Sequence, residues 1–279
     1  MIELSTRRNA AALLLVLLAA CSGGDARAGK SGGDETPSAS HFTEDPSVSA
    51  VKIASAAYKP AASLGAVGSL SGTITLNGAP PPDTVKVTKD SAVCGATAAP
   101  RVTVDAKGDL SNAVVWIDDA TTGKPLPIEK RAELSSSDCT LDPRVQAVVV
   151  GTTVNVFNDD NLVHKFVFHR VGESDTLTKM PFFTTGQVVA SERLATKPGV
   201  VEVRCSEHPW TRGYILAFNH PYFAVTDTDG GFSIDSLPPG SYHVKVWHEG
   251  LAQPIDKTVQ IAANGSAKLD LALTLTAAR

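Results

Sequence analysis

The chain has 279 residues, a hydrophobic fraction of 43%, a net charge of −4 and a pI near 6.0. That length leaves room for two domains, and that hydrophobic fraction for real cores. The acidic balance, and aromatic residues that are not interleaved with Lys/Arg runs, speak against nucleic acid as a partner.

Arg7 and Arg8 precede an apolar stretch from Ala10 to Ala20, and small residues follow. This is the pattern of an export signal over residues 1–20. The apolar stretch is too short to span a bilayer as a mature helix. Leu18-Ala19-Ala20-Cys21 resembles the bacterial lipobox. The resemblance implies lipidation of Cys21 and a membrane partner reached through that lipid anchor, with ordinary cleavage after Ala20 as the alternative. Ser22, where an acidic residue would retain the protein at the inner membrane of enteric bacteria, favours the outer membrane of the cell envelope. Residues 21–67 are rich in Ser, Gly, Ala and Asp, a composition that buries too little apolar area to offset chain entropy, so a flexible tether is expected there.

From Gly68 onward short alternating runs are separated by Gly, Pro, Asn and Asp, as in Gly72–Leu76, Ala113–Ile117, Thr153–Phe157, Val200–Arg204 and Tyr214–Phe218. The runs Val85–Val87 and Arg101–Val104 read the same way. Many short strands with such punctuation predict an all-β sandwich or barrel. We place one domain at 68–219 and a second β module at 220–279, with 68–99 able to serve either. Val225 to Ile234 reads as a hairpin around Asp229-Gly230-Gly231.

An exported chain occupies a compartment that favours disulfides. Cys94 and Cys139 lie in turn-like contexts and are expected to pair, which leaves Cys205 as the odd thiol once Cys21 carries lipid. An odd cysteine in an exported protein calls for an explanation, and metal ligation supplies one. Cys205 ends the run Val201-Glu202-Val203-Arg204-Cys205, so strand parity puts it on the apolar face with Val201 and Val203. His208 follows three residues later, and His164 ends a polar loop that begins at Asn158. A thiolate with two imidazoles is a ligand set suited to copper. Cys-x-x-His alone is half a zinc site, which wants four protein ligands. A hydrolytic Cys–His pair lacks any visible oxyanion device, so an enzyme is not expected.

The segment Asn158 to His164 is similar to the first ligand segment of the cupredoxins, and Cys205-Ser206-Glu207-His208-Pro209-Trp210-Thr211 is similar to their short ligand loop of the amicyanin type. The resemblance implies a Greek-key β-sandwich holding one type 1-like copper ion through His164, Cys205 and His208. It also implies one-electron exchange with a redox protein, or with a copper donor or acceptor of the envelope. Thr211 stands where the family has its axial methionine, and Lys165 stands where it has an asparagine that ties the two ligand loops together. Met180 lies too far upstream to be expected at the site. Copper storage or delivery, and a metal-free scaffold that keeps the fold, are the alternatives.

Asp227 to Phe232, then Leu237-Pro238-Pro239-Gly240-Ser241-Tyr242 and an alternating run, resemble the carboxypeptidase regulatory-like, or transthyretin-like, β-sandwich. Gly72 to Gly78 looks like that family's opening strand, which would make the copper-like unit an insertion. His220, His243 and His248 carry no spacing signature and read as structural. Parity sets His243 toward solvent and His248 against the first domain.

Overall fold

The computed structural model describes residues 46–82 and 84–275; the export signal, Cys21 and the start of the tether lie outside the described residues. Alternating burial builds two sandwiches. In Thr153–Asn158 and His164–Arg170 the apolar positions fall on one face and pack inward, as period-two side chains must.

The first sandwich has a five-stranded sheet ordered Thr176–Phe182, His164–Arg170, Gly199–Cys205, Arg212–Phe218, Val145–Val149. Its second sheet is ordered Gln187–Ser191, Thr153–Asn158, Arg131–Ser137, Thr140–Asp142. Leu134, Val154, Val156, Phe166, Phe168, Met180, Phe182, Val201, Val203 and Cys205 fill the space between them.

The second sandwich draws on both ends of the chain. Gly68–Leu76 pairs with Gly231–Leu237 on one side, and with Ser266–Lys268 and Leu271–Leu273 on the other. In the facing sheet Val114–Ile117 lies between Phe223–Val225 and Gly240–Trp247. The expected division at 68–219 is therefore corrected. Gly68–Leu76 and Val114–Ile117 are strands of the C-terminal module, and the first sandwich is inserted between the second of them and Phe223. Runs of short strands look alike in sequence; which sheet a strand joins depends on partners more than a hundred residues away.

Other expectations are also revised. Phe223–Val225 and Gly231–Leu237 join opposite sheets, so they form no hairpin. The Asp227 carboxylate accepts the N–H groups of Asp229 and Gly231, which makes the connection an Asx-type loop between sheets. Val85–Val87 and Arg101–Val104 form only isolated bridges. The part of the tether that is described, from residue 46, is packed. Val48 and Val51 are buried among Val114, Trp116, Tyr214, Leu216, Phe218 and Trp247, and Lys59–Pro60 pairs with Thr122–Gly123. A few apolar anchors spaced through a Ser/Ala-rich stretch were enough to hold it down.

That same cluster joins the outer faces of the two sandwiches. Val114 and Trp116 point into it while Val115 and Ile117 point into their own core, so one strand serves both. Arg144 adds a bidentate ion pair to Glu249 across the joint, with side chains 9% and 1% exposed. No helix among the described residues is long and apolar enough to cross a membrane.

Candidate metal centre

Cys205 is the last residue of Gly199–Cys205 and His164 the first of its neighbour His164–Arg170. The strands run antiparallel, with Cys205 opposite Phe166, so both residues stand at the same end of the sheet. The loop from Ser206 to Thr211 then returns to the next strand. It is tied by Thr211 N–H to the His208 carbonyl at 2.9 Å and by Cys205 N–H to the Thr211 carbonyl at 3.1 Å. This short loop turns His208 back over Cys205.

The three donors converge. His164 Nδ1 lies 3.4 Å from Cys205 Sγ, His208 Nδ1 lies 3.7 Å from it, and the two Nδ1 atoms are 3.2 Å apart. An ion bonded to nitrogen at about 2.0 Å and to sulfur at about 2.3 Å, with angles near 110–120°, needs donors about 3.3–3.7 Å apart. His164, Cys205 and His208 are buried, at 0%, 2% and 0% exposure, and Cys205 is a free thiol. The closest pair, at 3.2 Å, falls about 0.1 Å short of that range, so the donor set fits a d-block ion with little rearrangement.

Both imidazoles are held from behind. His164 Nε2 is 2.9 Å from Asp160 Oδ2, and His208 Nε2 is 3.0 Å from Asp90 Oδ2. With each Nε2–H donating to a carboxylate, Nδ1 is the atom of each ring that faces the other donors and that a bound ion would take in place of a proton. Asp160 also accepts from the Ser136 hydroxyl and the Cys139 N–H. Burial alone would raise its carboxyl, but the bonds from His164, Ser136 and Cys139 outweigh that and hold it below the usual range. Burial likewise opposes a charged His164, yet Asp160 and the Cys205 sulfur lift it to about 9.

Thr211 is buried, and its hydroxyl donates to the Cys139 carbonyl at 2.5 Å. It thus has a structural bond beside the donors. Met180 packs in the sandwich core, opposite Phe166, which in turn stands opposite Cys205. Two strand spacings, about 10 Å, separate its backbone from that of Cys205. Lys165 does tie the two ligand loops. Its carbonyl accepts the Ser206 N–H at 2.9 Å, and its ammonium meets Glu207 at 2.6 Å. Lys89 reaches the same carboxylate at 2.8 Å, and the two ammonium groups, Lys165 first, hold Glu207 down to about 2.

Cys94 and Cys139 form a disulfide. Of the other histidines among the described residues, His243 and His248 lie away from the donors. His243 is 58% exposed and meets Asp256; His248 is buried and accepts the Gly250 N–H. Trp247, the residue before it, enters the cluster between the sandwiches. Sequence reasoning assigned no role to Asp160 or Asp90. The four-residue spacing of Asp160 to His164 was a usable signal; Asp90, 118 residues from His208, carried none.

No curated protein matches the chain. A purple cupredoxin from Nitrosopumilus maritimus is 26% identical over 31% of this chain and 98% of its own, with a TM-score of 0.28. An amicyanin variant in its reduced state is 20% identical over 31% of this chain and 81% of its own, TM-score 0.28. A copper-containing nitrite reductase from Thermus scotoductus is 26% identical over 37% of this chain and 24% of its own, TM-score 0.29. Residues 211–274 match the carboxypeptidase regulatory-like domain, a span that begins with the last strand of the first sandwich, Arg212–Phe218, and runs through the C-terminal strands of the second.

Proposed function

We propose that this chain binds one copper ion through His164, Cys205 and His208 and carries single electrons between redox proteins of the cell envelope. The supporting observation is the convergence of one unoxidised thiol and two imidazole Nδ1 atoms, 3.2–3.7 Å apart, in a buried pocket. A soft thiolate with two imidazoles is the trigonal set that selects copper, and bound copper would supply the +1/+2 couple. Cys205 provides the covalent sulfur, His164 and His208 hold the geometry, and burial excludes water from the donors. Both imidazoles are already oriented by carboxylates, so little would have to move between oxidation states.

The pattern of residues 1–20, which reads as an export signal, and the lipobox-like Cys21 support the envelope location. Cys21→Ser should abolish incorporation of labelled fatty acid; retained label would remove the anchor from the reading.

Titrating the purified protein with Cu(II) tests the site. One equivalent should produce an intense visible thiolate-to-copper band, and Cys205→Ser should abolish it. No band, with a freely reacting Cys205 thiol, would leave a metal-free scaffold. A band with copper that exchanges readily and a couple that no envelope redox protein can drive would favour storage or delivery.

A further inference from the structure

The carboxylate behind His208 comes from a segment that is not a strand of the sandwich His208 belongs to. Residues 84–99 form a strap, closed on itself by the Val87 N–H to the Ala96 carbonyl and the Ala98 N–H to the Val85 carbonyl. At its tip Asp90 precedes the short helix Ser91–Cys94 and adopts φ 55°, ψ 33°, a left-handed conformation that aspartate tolerates better than most residues. Cys94 is bonded to Cys139. Cys139 sits in the two-residue turn between Arg131–Ser137 and Thr140–Asp142, where Asp138 and Cys139 have φ 50° and 57°. That turn is itself part of the metal centre's wall, through Cys139 N–H to Asp160 and Thr211 Oγ1–H to the Cys139 carbonyl.

The disulfide therefore lands the strap beside the donors. The Cys94 and Cys139 sulfurs and a ring nitrogen of His208 lie within 4.8 Å of one another. One residue-turn back, Asp90 Oδ2 reaches His208 Nε2 at 3.0 Å, and Lys89 clasps Glu207 at 2.8 Å. The Asp90 side chain is 31% exposed while that of His208 is fully covered, so the carboxylate stands between the ring and solvent.

Asp160 and Asp90 make the same contact to different rings, but their origins differ. Asp160 is four residues from its histidine and is placed by the ligand loop itself. Asp90 is placed by the covalent link and the strap. We propose that Asp90 is a positioning residue for the metal centre, presented by the disulfide-anchored strap, which orients His208, covers its outer edge and biases the centre toward the more positive metal state. This rests on the copper reading for its redox part; the orientation of His208 does not. A carboxylate behind a ligating imidazole raises ligand basicity, and its loss typically weakens metal binding 10–100-fold. Its negative charge also favours Cu(II) over Cu(I).

Two arms test it on the full mature chain. In metal-free protein, long-range nitrogen–proton NMR should show His208 held with the proton on Nε2, and Asp90→Ala should release it into a mixture of tautomers at the same pH. In the copper-loaded protein, Asp90→Asn, which keeps an oxygen acceptor without the charge, should leave the visible band in place but shift the Cu(II)-over-Cu(I) preference by about tenfold, a rise of about 59 mV for a one-electron couple. Asp90→Ala should raise the potential as well, weaken copper by about 10–100-fold and alter the band. Cys94→Ser with Cys139→Ser should reproduce Asp90→Ala. An unchanged tautomer in Asp90→Ala, or potentials in both Asp90 variants equal to the parent's with copper bound, overturns the proposal. If the parent itself takes up no copper, the copper reading falls, and the tautomer arm still decides whether Asp90 positions His208.

Discussion

Thr211 donates its hydroxyl proton to the Cys139 carbonyl, which is buried beside the donors. Thr211→Val keeps the shape and strands that carbonyl, so it should cost about 1–3 kcal/mol in urea unfolding while leaving the three donors in place. Thr211→Met adds a thioether at the position that resembles the axial one and should change the spectrum of the copper-loaded protein with copper retained; an unchanged spectrum means that residue 211 has no axial role. Asp160→Asn removes the charge that holds His164 and should weaken copper by about 10–100-fold in a competition titration. These residues are legible to unequal degrees. Cys205 and His208 stood out because a short loop fixes their relation locally. Asp90 could not stand out, since nothing near it in the chain marks its partner.

At the scale of elements, strand parity decides which side chains meet. Val201, Val203 and Cys205 face the core as alternation requires, and Glu202 turns away to meet Arg204 and Arg212. His220 and His248 each accept a backbone N–H through Nδ1, from Tyr222 and Gly250, at 3.2 and 3.0 Å. Burial pushes both down to about 4. Their folded pKa lies below the ordinary value near 6.5, so the unfolded chain binds more protons between those limits. Their contribution to stability is full above pH 6.5 and declines as pH falls toward 4, by up to roughly 3 kcal/mol for each histidine. Urea midpoints measured between pH 7.5 and 4.5 should fall, and His220→Phe should flatten the decline; a flat parent curve would show that these rings are not held neutral.

For the molecule as a whole, the second sandwich depends on strands separated by the entire first one. Gly68–Leu76 is central in one sheet and Val114–Ile117 in the other. A fragment covering 220–275 lacks both and should show no dispersed amide NMR spectrum, whereas the full chain should. Insertion at two close points, a shared cluster around Trp116, Phe218 and Trp247, and the Arg144–Glu249 pair bind the sandwiches into one unit. Calorimetry of the chain should therefore give a single cooperative transition; two separated transitions would mean that the sandwiches unfold independently.

By itself the sequence determined the all-β class, the alternation that turns each strand's apolar face inward, and the nearness of Cys205 to His208. All of these depend on residues within a few positions of one another, where backbone geometry leaves few choices. Only the tertiary structure decided that Gly68–Leu76 and Val114–Ile117 serve the C-terminal module, that part of the supposed tether is packed, and that Asp90 stands behind His208. Those relations join residues that many arrangements of similar strands could have brought together, and the choice among them is made by core packing and a covalent cross-link rather than by any local pattern.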